Sequence, residues 1–245
     1  MNSHSVLTLI ASDHPPLAAA IAALQPDGVI LTPPHSDNPL ITRLLTQRQI
    51  PFARIGSRSE GEGIALTMDD EGAAQQATRH LLALGHRSIG FIAGPADYQL
   101  SSWRFAGWRT AMDEAGISTE GLLATGDFSY ASGELAARAL LTRPDRPSAV
   151  IVSNDQMALA TIEVAHAINL NIPEELSLVC FDNTPLVRFT RPPLTAVDQP
   201  VAEITARAVE LLISAQRGEP EKPVPVVVPA SLVVRESTAA PKHGG

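Results

Sequence analysis

Three polar side chains stand where this sequence could do chemistry: Asn154, Asp182 and Arg104. Asn154 follows the run Ala149-Val150-Ile151-Val152, and Asp182 follows Leu178-Val179-Cys180-Phe181. Such continuous apolar runs mark strands buried on both faces of a parallel sheet. A residue at the exit of either strand points to the carboxyl edge, where open α/β sheets bind ligands. The competing local readings are an N-cap for Asn154 and an Asx turn with Asn183 for Asp182. Arg104 falls in the first turn of a helix expected to start at a Ser101 or Ser102 cap. There a cation faces the positive end of the helix dipole and loses a few tenths to about 1 kcal/mol. A polar ligand would compensate, since a planar five-donor fork suits paired hydroxyls or a carboxylate. The competing reading is a solvated arginine whose stem packs on Trp108, four residues on.

The elements that must position these groups alternate along the chain. Asp155 to Ile168 carries Met157, Thr161, Val164 and Ile168 at helical spacing and joins the two strands as a βαβ unit. Upstream, Val6 to Ala11, Asp27 to Leu31, Pro51 to Ile55, Ile64 to Met68 and Ser88 to Ala93 read as strands. Leu17 to Leu24, Leu40 to Gln47, Asp70 to Leu84, the segment ending at Ala115, and Tyr130 to Leu141 read as helices. Gly85 and Gly116 are C′ stops. After Asp182 comes the extended Pro-rich segment 191–200, then an amphipathic helix from Val201 to Gln216. Two strands follow, Val224 to Val228 and Ser231 to Val234, split by Pro229-Ala230. The tail 241–245 reads as disordered.

A chain of 245 residues at 44% hydrophobic and 18% charged can bury one large core or two smaller ones. Its net charge of −8 argues against this chain gripping nucleic acid on its own. Cys180 is the single cysteine and lies in a core strand, so neither a disulfide framework nor a cysteine metal site is expected. With no secretory or membrane-spanning pattern, the sequence reads as cytoplasmic and without membrane partners. There is no Gly-rich phosphate loop and no G-x-S-x-G elbow. The seven histidines make no metal-binding spacing. No cofactor, metal or enzymatic activity is expected.

Seven blocks then stand in one order: His80 to His86 (HLLALGH), Ile89 to Pro95 (IGFIAGP), Arg104 to Trp108 (RFAGW), Ser153 to Ala158 (SNDQMA), Phe181-Asp182, Pro193-Leu194-Thr195 with Gln199-Pro200, and Leu232 to Thr238 (LVVREST). In these blocks the chain resembles the effector-binding core of the LacI/GalR family of bacterial transcription regulators. The resemblance implies an α/β fold of two Rossmann-like lobes with parallel sheets, periplasmic-binding-protein-like, hinged by three crossovers, with a sugar or similar effector closing the cleft between them. One lobe would hold residues 1–68 and 198–228, the other 69–197 and 229–245. Arg104, Asn154 and Asp182 would clamp effector hydroxyls, with Phe128 as an aromatic platform, Gln199 as a hinge contact and Thr32 as a weak contact. Arg104 would line an exposed wall, so its removal would leave the fold intact. Tyr130, Ala131, Val187 and Phe189 would lie in a homodimer interface.

The sequence departs from the family at its front. The helix-turn-helix head, the hinge helix and the first strand and helix of the N-terminal lobe are absent, so DNA would be reached only through a missing head. Val6 to Ala11 looks like the second strand, which leaves a gap unless it takes the first strand's place. Gly56 stands where many members carry an Asp. A solute-binding protein of similar fold is the alternative function. A sugar-processing enzyme would need a base or nucleophile that Asp182 with Arg104 does not supply.

Overall fold

The structure, a computed structural model, describes residues 6–9 (as backbone), 19, 23–59, 61–218 and 225–242. In chain order its elements are β1 (Val6–Leu9), β2 (Gly28–Leu31), α1 (Pro39–Gln47), β3 (Phe52–Ile55), β4 (Ile64–Met68), α2 (Asp70–Ala83), β5 (Ile89–Ala93), α3 (Gln99–Glu114), β6 (Leu123–Thr125), α4 (Tyr130–Leu141), β7 (Ala149–Val152), α5 (Asp155–Ala167), β8 (Ser177–Asp182), a 3-10 turn (Pro185–Arg188), β9 (Thr195–Asp198), α6 (Val201–Gln216), β10 (Val226–Val228) and β11 (Ser231–Val233). The helix expected over 17–24 lies largely outside the described residues, as do 243–245 of the expected disordered tail.

The chain divides into two compact units, residues 1–68 with 200–229 and residues 69–199 with 230–245. The first return between units falls two residues later than the sequence reading, because β9 stays hydrogen-bonded in its sheet through Asp198. The first unit holds a parallel sheet in the order β1-β2-β3-β4-β10. β1 pairs directly with β2, Val6 against Gly28 to Leu9 against Leu31, so no gap separates them. Val29, Leu31, Ile41, Leu45 and Phe52 form a core beneath α1. Pro39 opens α1 after an Asn38 cap, which accepts from the Leu40 and Ile41 amides. Arg54, two residues past Phe52 and so on the same sheet face, is buried. It is held by Asp37 at 2.7 Å, Ser57 at 3.2 Å and Ser59 at 2.7 Å.

The second unit holds a sheet in the order β11-β9-β8-β7-β5-β6, parallel except for the β11–β9 pair. The two strands expected after the last helix thus go to different sheets: β10 adds to β4 and β11 to β9. Strands β5, β7 and β8 are buried almost throughout, as their unbroken apolar runs require. Helices α2 and α3 pack so closely that a β-carbon on Gly107 would sit 2.1 Å from the Glu71 carbonyl oxygen.

At the amino ends of these strands polar side chains bond to one another and to the C-terminal segment. Buried His86 lies 2.9 Å from the Ala239 carbonyl through Nε2 and 2.8 Å from Ser148 Oγ through Nδ1. A carbonyl only accepts, so Nε2 carries the proton. His80 Nε2 meets Thr238 Oγ1 at 3.0 Å, and Ser237 Oγ donates to Leu178 O at 2.6 Å. Two histidines and a serine thereby dock the C-terminal segment. Burial holds both imidazoles below their ordinary 6.5, with the Ala239 hydrogen bond opposing this at His86. The neutral forms belong to the fold, so their contribution to stability is complete above pH 6.5 and is lost as pH falls from there toward the depressed values. Thermal melts from pH 7.5 to 5.5 should show the melting temperature falling below about pH 6.5. His86→Gln should flatten that part of the curve, and an unchanged slope in the variant would remove His86 as the cause.

Candidate functional site

The carboxyl edge of the second unit's sheet gathers Gly94 after β5, Ser153 and Asn154 after β7, and Asp182 at the end of β8. Helix α3 delivers Arg104 to this edge. It starts at Gln99 after Tyr98, without a side-chain cap, rather than at Ser101 or Ser102. Ser101 is buried inside the helix and its hydroxyl has no partner there. Arg104 therefore lies in the second turn, beyond the strongest part of the dipole.

Arg104 is 2% exposed, which excludes both the solvated reading and the exposed wall. Its Nε donates to Asp70 Oδ1 at 2.7 Å and its Nη1 to the Ser153 carbonyl at 2.6 Å. The guanidinium sits 4.3 Å above the Phe181 ring, and Nη1 is 3.9 Å from Asp182 Oδ1. Its stacking partner is thus Phe181. Trp108 instead packs on Phe91 at 5.4 Å and donates to the Ile89 carbonyl.

Asn154 caps α5, accepting from the Met157 amide at 2.9 Å, so the local reading of this residue holds. Its Nδ2 donates to the Phe128 carbonyl at 2.9 Å. Phe128 adopts φ +71, a left-handed conformation uncommon outside glycine, and the Asn154 amide holds its carbonyl in place. The half-buried Phe128 ring packs edge-on against Tyr98 with centroids 5.6 Å apart. Gly94 is the residue that makes room, since a β-carbon there would lie 2.2 Å from Phe128 Cζ.

Asp182 and Asn183 are consecutive left-handed residues, φ +91 and +61, in place of a simple Asx turn. The Asn183 side chain bridges Asp198 at 2.5 Å and Arg235 at 2.6 Å. Burial raises the Asp182 carboxyl above its ordinary range. The Arg104 guanidinium opposes this, and the Asp155 charge adds to it. Cys180 is fully buried and its thiol is pushed well up by that burial and by Asp155, which makes it chemically inert. No group of three or more His, Cys, Asp or Glu suited to a metal occurs among the described residues.

Arg104, Asn154, Asp182 and Phe128 therefore share one edge. Gln199 meets them through its backbone, its main-chain N–H donating to the Asp182 carbonyl at 3.4 Å. Thr32 belongs to the first unit, half-buried beyond β2, where its carbonyl accepts from the His35 amide. Tyr130 and Phe189 are 44% and 77% exposed, and Ala131 is exposed as well. Val187 is not a surface residue: it is 0% exposed within the core cluster. In the 3-10 turn its neighbour Leu186 faces solvent instead, because successive residues on a tight helix point about 120° apart.

The sequence reading missed Asp70, Asp155, Ser153, Phe181 and Tyr98. Asp70 is an ordinary favourable charge in the first turn of α2, and nothing in its local pattern signals a partner 34 residues away. Asp155 sits next to Asn154, and its Oδ2 accepts from the Thr184 amide at 2.7 Å.

Arg104→Ala should lower stability by about 3–5 kcal/mol, because it strands the Asp70 carboxylate in the interior. The double variant with Asp70→Ala should recover part of the loss in denaturant melts; additive losses would show that the pair is not coupled. At Asp182 the sign is opposite. The fold prefers the neutral acid, so above the raised value the ionised form costs stability. Asp182→Asn should raise the melting temperature at pH 7, by about 2–4 °C per kcal/mol recovered. The gain should shrink toward pH 4 as the wild-type carboxyl protonates, and a variant that melts lower at pH 7 contradicts this assignment.

Comparison with known proteins places this geometry. Residues 78–238 match the periplasmic binding protein-like domain family. The transcriptional regulator CelR of Thermobifida fusca is 35% identical over 230 residues, covering 92% of this chain and 67% of that protein. The transcriptional repressor CytR of Escherichia coli K12 is 34% identical over 223 residues, covering 90% and 65%. Among solved structures, a CelR–cellobiose complex superposes with a TM-score of 0.83 at 34% identity, covering 91% of this chain and 69% of that one. A LacI-family regulatory protein from Chloroflexus aggregans has a TM-score of 0.83 at 28% identity, covering 91% and 81%. The chain spans about two thirds of the length of these curated relatives. With its two parallel-sheet units and its polar strand edge, the chain belongs to the LacI family of transcriptional regulators, of which it carries the periplasmic-binding-protein-like core.

Proposed function

We propose that this chain is the effector-sensing core of a LacI-type transcriptional regulator and that its effector is a sugar or sugar-like molecule. The observation that carries the reading is the convergence of Asp182, Asn154, Arg104 and Phe128 on one strand edge. The relative solved with cellobiose supports it, being 34% identical to this chain over 91% of its length. In this reading Asp182 accepts from ligand hydroxyls. The second Nδ2 proton of Asn154 remains to donate, and the pinned Phe128 ring supplies an apolar face. Arg104 acts mainly by fixing the edge, since its strongest donors are already engaged. Gln199, just past the end of the same unit's β9, completes the set.

The role is binding rather than catalysis, in a cytoplasmic protein without cofactor or membrane partner. DNA contact is assigned to the helix-turn-helix of such regulators, with no share taken by this acidic core. Homodimerisation is proposed through the face bearing Tyr130, Ala131 and Phe189, with exposed Leu186 replacing Val187. A solute-binding protein of similar fold is the competing reading. The 34–35% identity to regulators over about 90% of the chain weighs against it.

Calorimetric titration with monosaccharides and disaccharides tests the effector reading. At least one should bind the wild type, and Asp182→Asn should weaken that binding about tenfold. Phe128→Ala should weaken it by about 1–3 kcal/mol, the scale of an aromatic face removed from a ligand. If no sugar binds, or if Asp182→Asn binds as the wild type does, the reading falls.

A further inference from the structure

The charge balance at the strand edge narrows what it can hold. Arg104, the cation at the centre of the site, is committed internally. It is 2% exposed, bonded to Asp70 at 2.7 Å and to the Ser153 carbonyl at 2.6 Å, with its face on Phe181. A second carboxylate, Asp182, already lies 3.9 Å from its Nη1. A third, Asp155, is 4% exposed and reaches the same loop through the Thr184 amide, two residues past Asp182. Two carboxylates thus share one guanidinium, and a third stands at the same edge. The positive end of α5, next to Asp155, offsets about half a charge. Arg235 and Asp198 meet across the Asn183 side chain and offset each other. The edge is left with a net negative field in a poorly solvated setting, where charge effects are strong.

Its unused polar atoms agree with this. Ser101 Oγ, Ser153 Oγ and Asp155 Oδ1 are buried there without a hydrogen-bond partner. The serine hydroxyls can donate or accept, whereas the Asp155 carboxylate oxygen can only accept, so of the three only Asp155 calls for a donor.

Resting on the sugar-effector reading above, we infer that the effector is a neutral or ammonium-bearing molecule and that this edge rejects phosphorylated and carboxylated sugars. A ligand anion placed about 6 Å from Asp182 loses on the order of tenfold in affinity for each added charge, the neighbouring guanidinium and solvent screening part of the carboxylate's field. The guanidinium cannot turn to meet it without abandoning Asp70. Asp182 is thus a residue that selects by charge as well as by hydrogen bonding.

The test is calorimetry and thermal shift on the 245-residue chain with charge-matched probes. The first series is glucose, glucosamine, glucose 6-phosphate and glucuronate, with the galactose counterparts. The second is a nucleoside and its monophosphate. Neutral or ammonium members should bind at least tenfold more tightly than their anionic partners, with the gap narrowing as salt rises. In Asp182→Asn the ratio of neutral to phosphorylated affinity should shrink about tenfold, whatever happens to the absolute values. A phosphorylated or carboxylated sugar that binds more tightly than its neutral parent overturns this inference while leaving the sugar-effector reading intact. A nucleoside that binds over its monophosphate, with no sugar binding, removes the sugar reading and keeps the charge selection. If no probe binds, both fall. An unchanged ratio in Asp182→Asn removes Asp182 as the selecting charge.

Discussion

The second unit depends on one buried ion pair. Arg104 on α3 reaches Asp70 at the start of α2, the Ser153 carbonyl at the end of β7, and the Phe181 ring on β8. A single guanidinium thereby ties two helices to two strands at the carboxyl edge of the sheet. Its planar donor set makes this possible, since each direction of the fork meets a different element. Burying the pair costs desolvation, and that cost is offset only while both partners and the carbonyl stay in place. The close approach of α2 and α3 at Gly107 belongs to the same arrangement, because it holds Asp70 and Arg104 within bonding distance.

The two edges of this sheet are built differently. At the amino ends His86, Ser148, Ser177 and Ala239 bond to one another. At the carboxyl ends Phe128, Asp182 and Asn183 take left-handed backbone conformations. The hydroxyls of Ser101 and Ser153 and one oxygen of Asp155 stay unpartnered there. Strain and unmet polar groups are expected where a structure serves binding rather than its own stability. The raised carboxyl of Asp182 is part of this, since the fold keeps a charge where it is unfavourable.

The first unit has its own buried arginine, Arg54, on the face of β3 that Phe52 shares. Asp37, Ser57 and Ser59 meet its guanidinium from the loops that follow β2 and β3. A polar knot at these loops thus stands beside the apolar core that Val29, Leu31 and Phe52 form with Ile41 and Leu45 of α1.

Period and capping are local signals, so the alternation of strands and helices is legible along the chain. Tyr130–Leu141 and Val201–Gln216 follow their apolar spacing, and Asn154 caps α5 as its type prescribes. The sequence also placed Arg104, Asn154, Asp182 and Phe128 by resemblance to a family. What those side chains touch depends on long-range packing. The partner of Arg104 lies 34 positions back, in a turn where an Asp is ordinary, and no local pattern encodes that distance. The start of α3 at Gln99 was hidden because no side chain caps it and the backbone turn from Pro95 to Tyr98 begins it instead. Val187 is apolar in a loop-like segment, and whether such a residue faces core or solvent depends on the phase of a single 3-10 turn. The destinations of β10 and β11 in different sheets rest on hydrogen bonds to strands far earlier in the chain. Spacing along a sequence records which face a residue shares, whereas burial and pairing depend on what the rest of the chain brings to that face.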